Sequence, residues 1–165
     1  MALEKWKFDT VHSNVSFSVR HLMISRVHGS FKTWSGALET DEANPANSGL
    51  QASIDVASID TKEPQRDEHL RSADFFNAAK YPDITFSAAS VTLSGESAAV
   101  AGTLTVRDQT KPVSVSGTVS AHGADEISLD AELPVNRGDF GLVFNQLGMM
   151  SLDNIIIIHA VFTRA

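Results

Sequence analysis

The residues best suited to metal binding or acid–base chemistry are six histidines, at positions 12, 21, 28, 69, 122 and 159. They contain neither an HExxH arrangement nor a helical i, i+4 pair, so their spacing predicts no metal site. His12 and His21 have opposite parity and on one regular strand would face opposite ways. His21 shares parity with Val15, Phe17 and Val19, which puts it on an apolar face. A histidine there is more often a hydrogen-bonded core group than a ligand. The same applies to His159, which shares a face with Val161. Asp67, Glu68 and His69 are adjacent and point in different directions on a helix. A hydrolase would need His69 to meet Asp74 or Asp139. There is no cysteine, which excludes disulfides, thiolate nucleophiles and Cys-based zinc. No Gly-x-Ser-x-Gly elbow, P-loop or dinucleotide-binding glycine pattern occurs, so no cofactor is implied.

The elements that must position these groups follow from length and pattern. The chain has 165 residues, about one domain, read as a single unit over 1–165. Thirteen basic against twenty acidic residues give a formal charge of −7, which disfavours nucleic acid and gives no attraction to anionic membranes. No stretch approaches the ~20 apolar residues of a membrane helix. Glu4, Lys5 and Lys7 interrupt any signal-like run, so the sequence as written points to the cytoplasm, or to the periplasm if a leader has been trimmed.

The dominant period is two. Val15, Phe17 and Val19 alternate with polar residues, as do Leu50, Ala52, Ile54 and Val56, then Val113, Val115, Gly117 and Val119, then Ile127, Leu129, Ala131 and Leu133. Alternation of this kind marks strands with one apolar face. With 5–9, 26–39, 83–93, 97–106 and 154–164 there are nine strand candidates, separated by turn signals such as Asn44-Pro45 and Ser94-Gly95. This predicts an all-β antiparallel barrel or sandwich, and closure of so many long edges favours the barrel. Ile155 to Ile158 are apolar on both faces, so the outer face calls for a helix or another subunit. Residues 64–79 break the period. Pro64 and the acids Asp67 and Glu68 suit a helix start, Ser72 a break and Pro82 a stop. Phe75 and Phe76 then form either a lid on a barrel mouth or packing on its outside. Small residues at Ala52, Ala88, Gly102, Gly117 and Ala131 leave room inside, unless Phe17, Phe31 and Phe86 fill it.

Asp9-Thr-Val-His12-Ser13 through Leu22, the run Arg66-Asp67-Glu-His69-Leu70-Arg71-Ser72-Ala-Asp74-Phe75-Phe76, Tyr81-Pro82-Asp-Ile84-Thr-Phe86, Thr110-Lys111-Pro112 and Asn136-Arg137-Gly-Asp139-Phe140-Gly141 together resemble the YceI-like proteins over nearly the whole chain. The resemblance implies an antiparallel eight-stranded lipocalin-like barrel, with a short helix around 64–79. It also implies a long isoprenoid ligand, polyprenyl or quinone-like, and a homodimer. The chain departs from the family at Asp108 and at Leu152-Asp153-Asn154, so the connection 145–150 is expected to differ.

An apolar tunnel suits such a tail. The expected lining is Val15, Phe17, Val19 and Phe31, then Ile84, Phe86, Leu104 and Val106, then Phe140 and Phe162, with Phe75 and Phe76 as the lid. Arg20, His21, Asn136 and Arg137 are the expected partners of a polar head group. The run Arg66, Asp67, His69 and Arg71 is expected to fasten the helix to the barrel by ion pairs and caps. A binding protein without bond chemistry is the leading expectation. A solid interaction module and a His/carboxylate hydrolase are the alternatives, separated by whether the interior is open and whether the polar groups converge.

Overall fold

In the computed structural model, residues 4–9, 12–21, 25–40, 48–94, 96–121, 125–140 and 150–164 are described. Eleven strands form in chain order: β1 Glu4–Phe8, β2 Asn14–His21, β3 Ser25–Phe31, β4 Trp34–Thr40, β5 Gly49–Asp55, β6 Ile59–Asp60, β7 Asp83–Ser94, β8 Ser97–Val106, β9 Gln109–Ala121, β10 Glu126–Asn136 and β11 Met150–Arg164. All pairings are antiparallel, in the order β1-β4-β5-β7-β8-β9-β10-β11-β2-β3-β6, and β1 also pairs with β11 to close the ring. β1 and β2 both pair with β11, and β3 continues into β4. The barrel therefore counts eight strands, two of them kinked.

Nine candidates become eleven elements because the run 26–39 divides into β3 and β4 and Ile59–Asp60 adds the short β6. The run 26–39 is one apolar-alternating stretch, but it changes partner at Lys32–Thr33, from β2 to β1 and β5. Backbone groups there still need partners. The Lys32 N–H donates to the Ser58 carbonyl at 3.2 Å, and the Thr33 N–H to Ser58 Oγ at 3.0 Å. Between β1 and β2, Ser13 repairs the ladder with its side chain. Its hydroxyl accepts from the Val161 N–H at 2.7 Å and donates to the Val161 carbonyl at 3.3 Å.

At one end, Trp6, Leu38, Ala88, Val91, Val100, Val115, Ala131, Leu133, Ala160 and Phe162 form a buried core, of which Val100, Val115, Leu133, Ala160 and Phe162 also face the space beside it. Trp6 donates from Nε1 to Thr40 Oγ1 at 3.0 Å, which satisfies its one polar atom in this core. Of the small residues expected to open the interior, Ala88 and Ala131 belong to this packed end, and Gly102 sits where a Cβ would lie 2.3 Å from the Ser87 carbonyl oxygen. Their smallness lets strands approach.

The helical segment is shorter than the broken period. α1 spans Pro64–Arg71, and 72–80 is a series of turns. Ser72 is extended and its N–H returns to the His69 carbonyl, while Asn77 adopts a positive φ of 50°. The first ends α1, and the second keeps the following turns from resuming a helix. α1 sits beside β6, so it does not cover the outer face of β11, where Ile157 is exposed. The connection 145–150, apart from Met150, lies outside the described residues.

Candidate functional site

A second buried cluster, with Phe31, Val56, Ile59, Ile84, Leu104, Val106 and Phe140, forms the other end of the barrel, and Leu70 and Phe76 pack against it. Residues of both clusters enclose a cavity of about 510 Å³, within the range of roughly 300–1,000 Å³ of small-molecule pockets. All twelve expected lining residues border it: Val15, Phe17 and Val19 from β2, Phe31 from β3, Ile84 and Phe86 from β7, Leu104 and Val106 from β8, Phe140 from the 3-10 turn Arg137–Phe140, Phe162 from β11, and Phe75 and Phe76 beyond α1. The same alternation brings residues not singled out from the sequence, among them Phe8, Trp34, Leu50, Val100, Leu129 and Ala160. Their parity was the signal that could have found them. On β11 the even positions Ile156, Ile158, Ala160 and Phe162 face inward. His159 consequently points out. It is exposed and its Nδ1 pairs with Asp130 Oδ1 at 2.5 Å, so it belongs neither to the core nor to the cavity.

The polar groups on the wall are Ser16, Thr61, Arg66, His69, Arg137 and Asn154. Most come from α1 and the connections rather than from strand interiors. Of the four expected head-group partners, Arg137 borders the cavity. Asn136 does not; its Oδ1 accepts from the Gly138 N–H at 2.8 Å and its Nδ2 donates to Asp153 at 3.3 Å, which shapes the turn. Arg20 and His21 lie on β2, and their side chains are outside the described residues.

Thr61 is the main anchor of α1, and Arg71 adds a bond from Nη1 to the Ala57 carbonyl at 3.5 Å. Thr61, buried just ahead of the helix, donates its backbone N–H to Asp67 Oδ1 at 2.9 Å and its hydroxyl to the same oxygen at 2.5 Å. Arg66 closes the group, donating from Nε to Thr61 Oγ1 at 2.8 Å and from Nη2 to the Thr61 carbonyl at 2.7 Å. The expected fastening role of Arg66 and Asp67 is realised by hydrogen bonds to Thr61, not by an ion pair between helix and barrel. Leu70 adds the helix's apolar contact with the cavity.

Phe75 and Phe76 divide the lid role. Phe76 meets Phe31 edge-on at 6.1 Å, and Phe31 in turn packs on Phe17 at 5.7 Å. Phe75 lies at the rim between an imidazole and a guanidinium, with the His69 ring edge-on at 5.1 Å and the Arg137 guanidinium carbon 5.8 Å from its centre. Partial burial draws the pKa of Arg137 below the ordinary arginine range. His69 Nε2 pairs with Asp74 Oδ2 at 2.9 Å, both exposed. Asp74 is therefore the carboxylate on His69. The hydroxyl nearest in sequence, Ser72 Oγ, donates to the His69 carbonyl at 2.5 Å and is committed to capping α1 rather than to the imidazole.

A closed eight-stranded antiparallel barrel, packed at one end and holding an apolar cavity rimmed by polar groups at the other, defines a lipocalin-like pocket protein. Its relatives are consistent with that architecture. The YceI-like domain profile matches residues 6–162, and the chain belongs to that family. Protein YceI of Escherichia coli is 38% identical over 136 residues, covering 79% of this chain and 71% of that protein. The crystal structure of BcnA from Burkholderia cenocepacia superposes with a TM-score of 0.86 at 28% identity, covering 93% of this chain and 98% of that one. A polyisoprenoid binding domain from Saccharophagus degradans shares the fold, with a TM-score of 0.80 at 18% identity, covering 99% and 100% of the two chains.

Proposed function

We propose that this protein binds a long-chain isoprenoid lipid, polyprenyl or quinone-like, inside the barrel, and carries or stores it without changing a bond. The observation that carries the reading is the cavity itself: its volume of about 510 Å³ is walled by strand-borne aliphatic and aromatic side chains, with polar groups confined to a few positions. An isoprenoid tail offers apolar area and few hydrogen bonds. Its burial contributes up to ~0.8 kcal/mol per CH₂-sized group, part of which is offset by ordering the flexible chain. Arg66, His69 and Arg137 are the side chains positioned to meet a polar head. The polyisoprenoid-binding description of the Saccharophagus degradans domain supports the choice of tail. A barrel filled by its own side chains would have favoured the interaction-module alternative, and a cavity of this size counts against it.

Native mass spectrometry of the purified protein, followed by extraction of any bound lipid, tests the proposal. A stoichiometric isoprenoid is the expected result, and it would identify tail and head together. A protein that is empty and also takes up no added isoprenoid would refute it.

A further inference from the structure

The large cavity does not reach the end of the barrel. Beneath it lies a second void of about 30 Å³, lined by residues further along the same strands. On β8 the wall passes from Val100 to Ala98, on β10 from Leu129 to Ile127, and on β9 from Val115 to Val119. Four residues border both spaces: Leu50, Val100, Leu129 and Phe162. They form a diaphragm across the barrel. Phe162 is its one aromatic member, 2% exposed, with its ring 4.5 Å from that of Phe8. Phe8 is braced in turn by Trp34, edge-on at 4.7 Å.

We propose that Phe162, seated on Phe8, is the stop that sets how long an isoprenoid tail the barrel accepts. The inference rests on the isoprenoid reading above and adds a specificity-determining residue to it. A tail entering from the polar rim advances along the apolar wall until its end meets the Phe162 ring. Three aliphatic side chains complete the diaphragm, but they are smaller. Removing the ring joins the two spaces, and the six carbons lost leave room for about one further isoprene unit. Ala160 lies one inward step above Phe162 on β11 and also borders the large cavity. Bulk added there raises the floor.

The test uses the full chain and a ladder of all-trans isoprenols from geraniol upward in single isoprene steps. Binding is read by native mass spectrometry and by the fluorescence of Trp34, which borders the cavity. Phe162→Ala is expected to move the preferred length up by one unit, changing the affinity ratio between neighbouring lengths about tenfold. Ala160→Leu is expected to move it down. Should Phe162→Ala not fold, Ala160→Leu decides alone, because it fills existing space. A length profile identical to wild type in a folded variant, or an equal loss at every length, would overturn the assignment while leaving the isoprenoid reading in place. A wild-type protein that takes no isoprenol of any length would remove both.

Discussion

Replacing Asp67 by alanine tests how α1 is held over the cavity. One carboxylate oxygen accepts both the backbone N–H and the hydroxyl of Thr61, and both residues are buried. Hydrogen bonds to charged groups contribute about 1.5–3 kcal/mol each, and a buried donor left without an acceptor costs about 1–3 kcal/mol. Two such bonds give a gross loss of about 4 kcal/mol. Removing a buried carboxylate returns part of that, since its desolvation no longer opposes folding. The expected net loss for Asp67→Ala is therefore about 2–3 kcal/mol. At roughly 2–4 °C per kcal/mol for a chain of this size, Tm falls by about 5–10 °C. Asp67→Asn keeps an acceptor oxygen in place and is expected to lose about half as much. Urea unfolding followed by tryptophan fluorescence reads the difference, since Trp6 and Trp34 are both buried in the barrel. The loss is bounded by the free energy needed to undock α1 alone, so hydrogen exchange at the Thr61 amide is measured alongside; that amide is expected to lose its protection first. A change below about 0.5 kcal/mol with Thr61 exchange unaltered would refute the argument. So would equal effects of the alanine and asparagine variants.

Phe76→Ala removes the ring that meets Phe31 and is half-buried. It is expected to cost about 1–2 kcal/mol, less than a fully buried phenylalanine, and to raise the dissociation rate of a bound isoprenoid in stopped-flow displacement. Gly102→Ala and Gly29→Ala should part company in urea melts. At Gly102 a Cβ meets the Ser87 carbonyl oxygen and the Ala88 Cα, both backbone, and the strand pair must separate at a cost of about 2 kcal/mol or more. At Gly29 the Cβ meets the Phe17 ring at 2.3 Å, a side chain that swings into the cavity, so ligand affinity falls more than stability. His12 Nδ1 pairs with Asp9 Oδ2 at 2.7 Å, and that bond raises its pKa above the ordinary histidine range. The associated stability is fully present below that ordinary range and is lost as pH rises through the raised value. The imidazole is exposed, so an NMR titration is the suitable readout, and Asp9→Asn should return the pKa toward normal.

How far the sequence could be read divides along a physical line. Strand faces follow from a local period of two, so the inward positions Val15, Phe17 and Val19 or Leu104 and Val106 were legible residue by residue. The double-faced run Ile155–Ile158 had a legible inner side. Its outer side was less so, because exposure of Ile157 depends on what lies beyond the strand. Bonds across connections were not legible. Asp67 reads as an ordinary first-turn acid, and only the fold brings it to the Thr61 backbone. Ser13 and Ser58 look like two of many polar-face serines, yet each bridges a break in strand pairing. Asn136 and Arg137 are adjacent in sequence and part ways in space, since the turn at Gly138 captures the Asn136 side chain and Arg137 borders the cavity. Phe75 and Phe76 were open between lid and outer packing, and the turns after Ser72 bring both to the cavity.

These breaks also account for how a barrel with a packed end keeps a cavity beside it. At the packed end β1 lies between β11 and β4, and the ring closes on short side-chain distances around Trp6, Leu38 and Phe162. Beyond the changes of partner between β1 and β2 and at Lys32–Thr33, the wall continues as the β2–β3 pair. There β3 no longer has β5 beside it. Its link on that side is the short β6, through Ser30 with Asp60 and Phe31 with Ile59. A wall held by two residue pairs leaves width that strand side chains do not fill, and α1 and its following turns occupy the gap. Elements that fill a gap carry side chains free of strand alternation, so cationic groups can stand next to an apolar wall without breaking its pattern. The share of the polar rim that Thr61, Arg66 and His69 supply thus follows from one event in the chain, the change of partner at Lys32–Thr33.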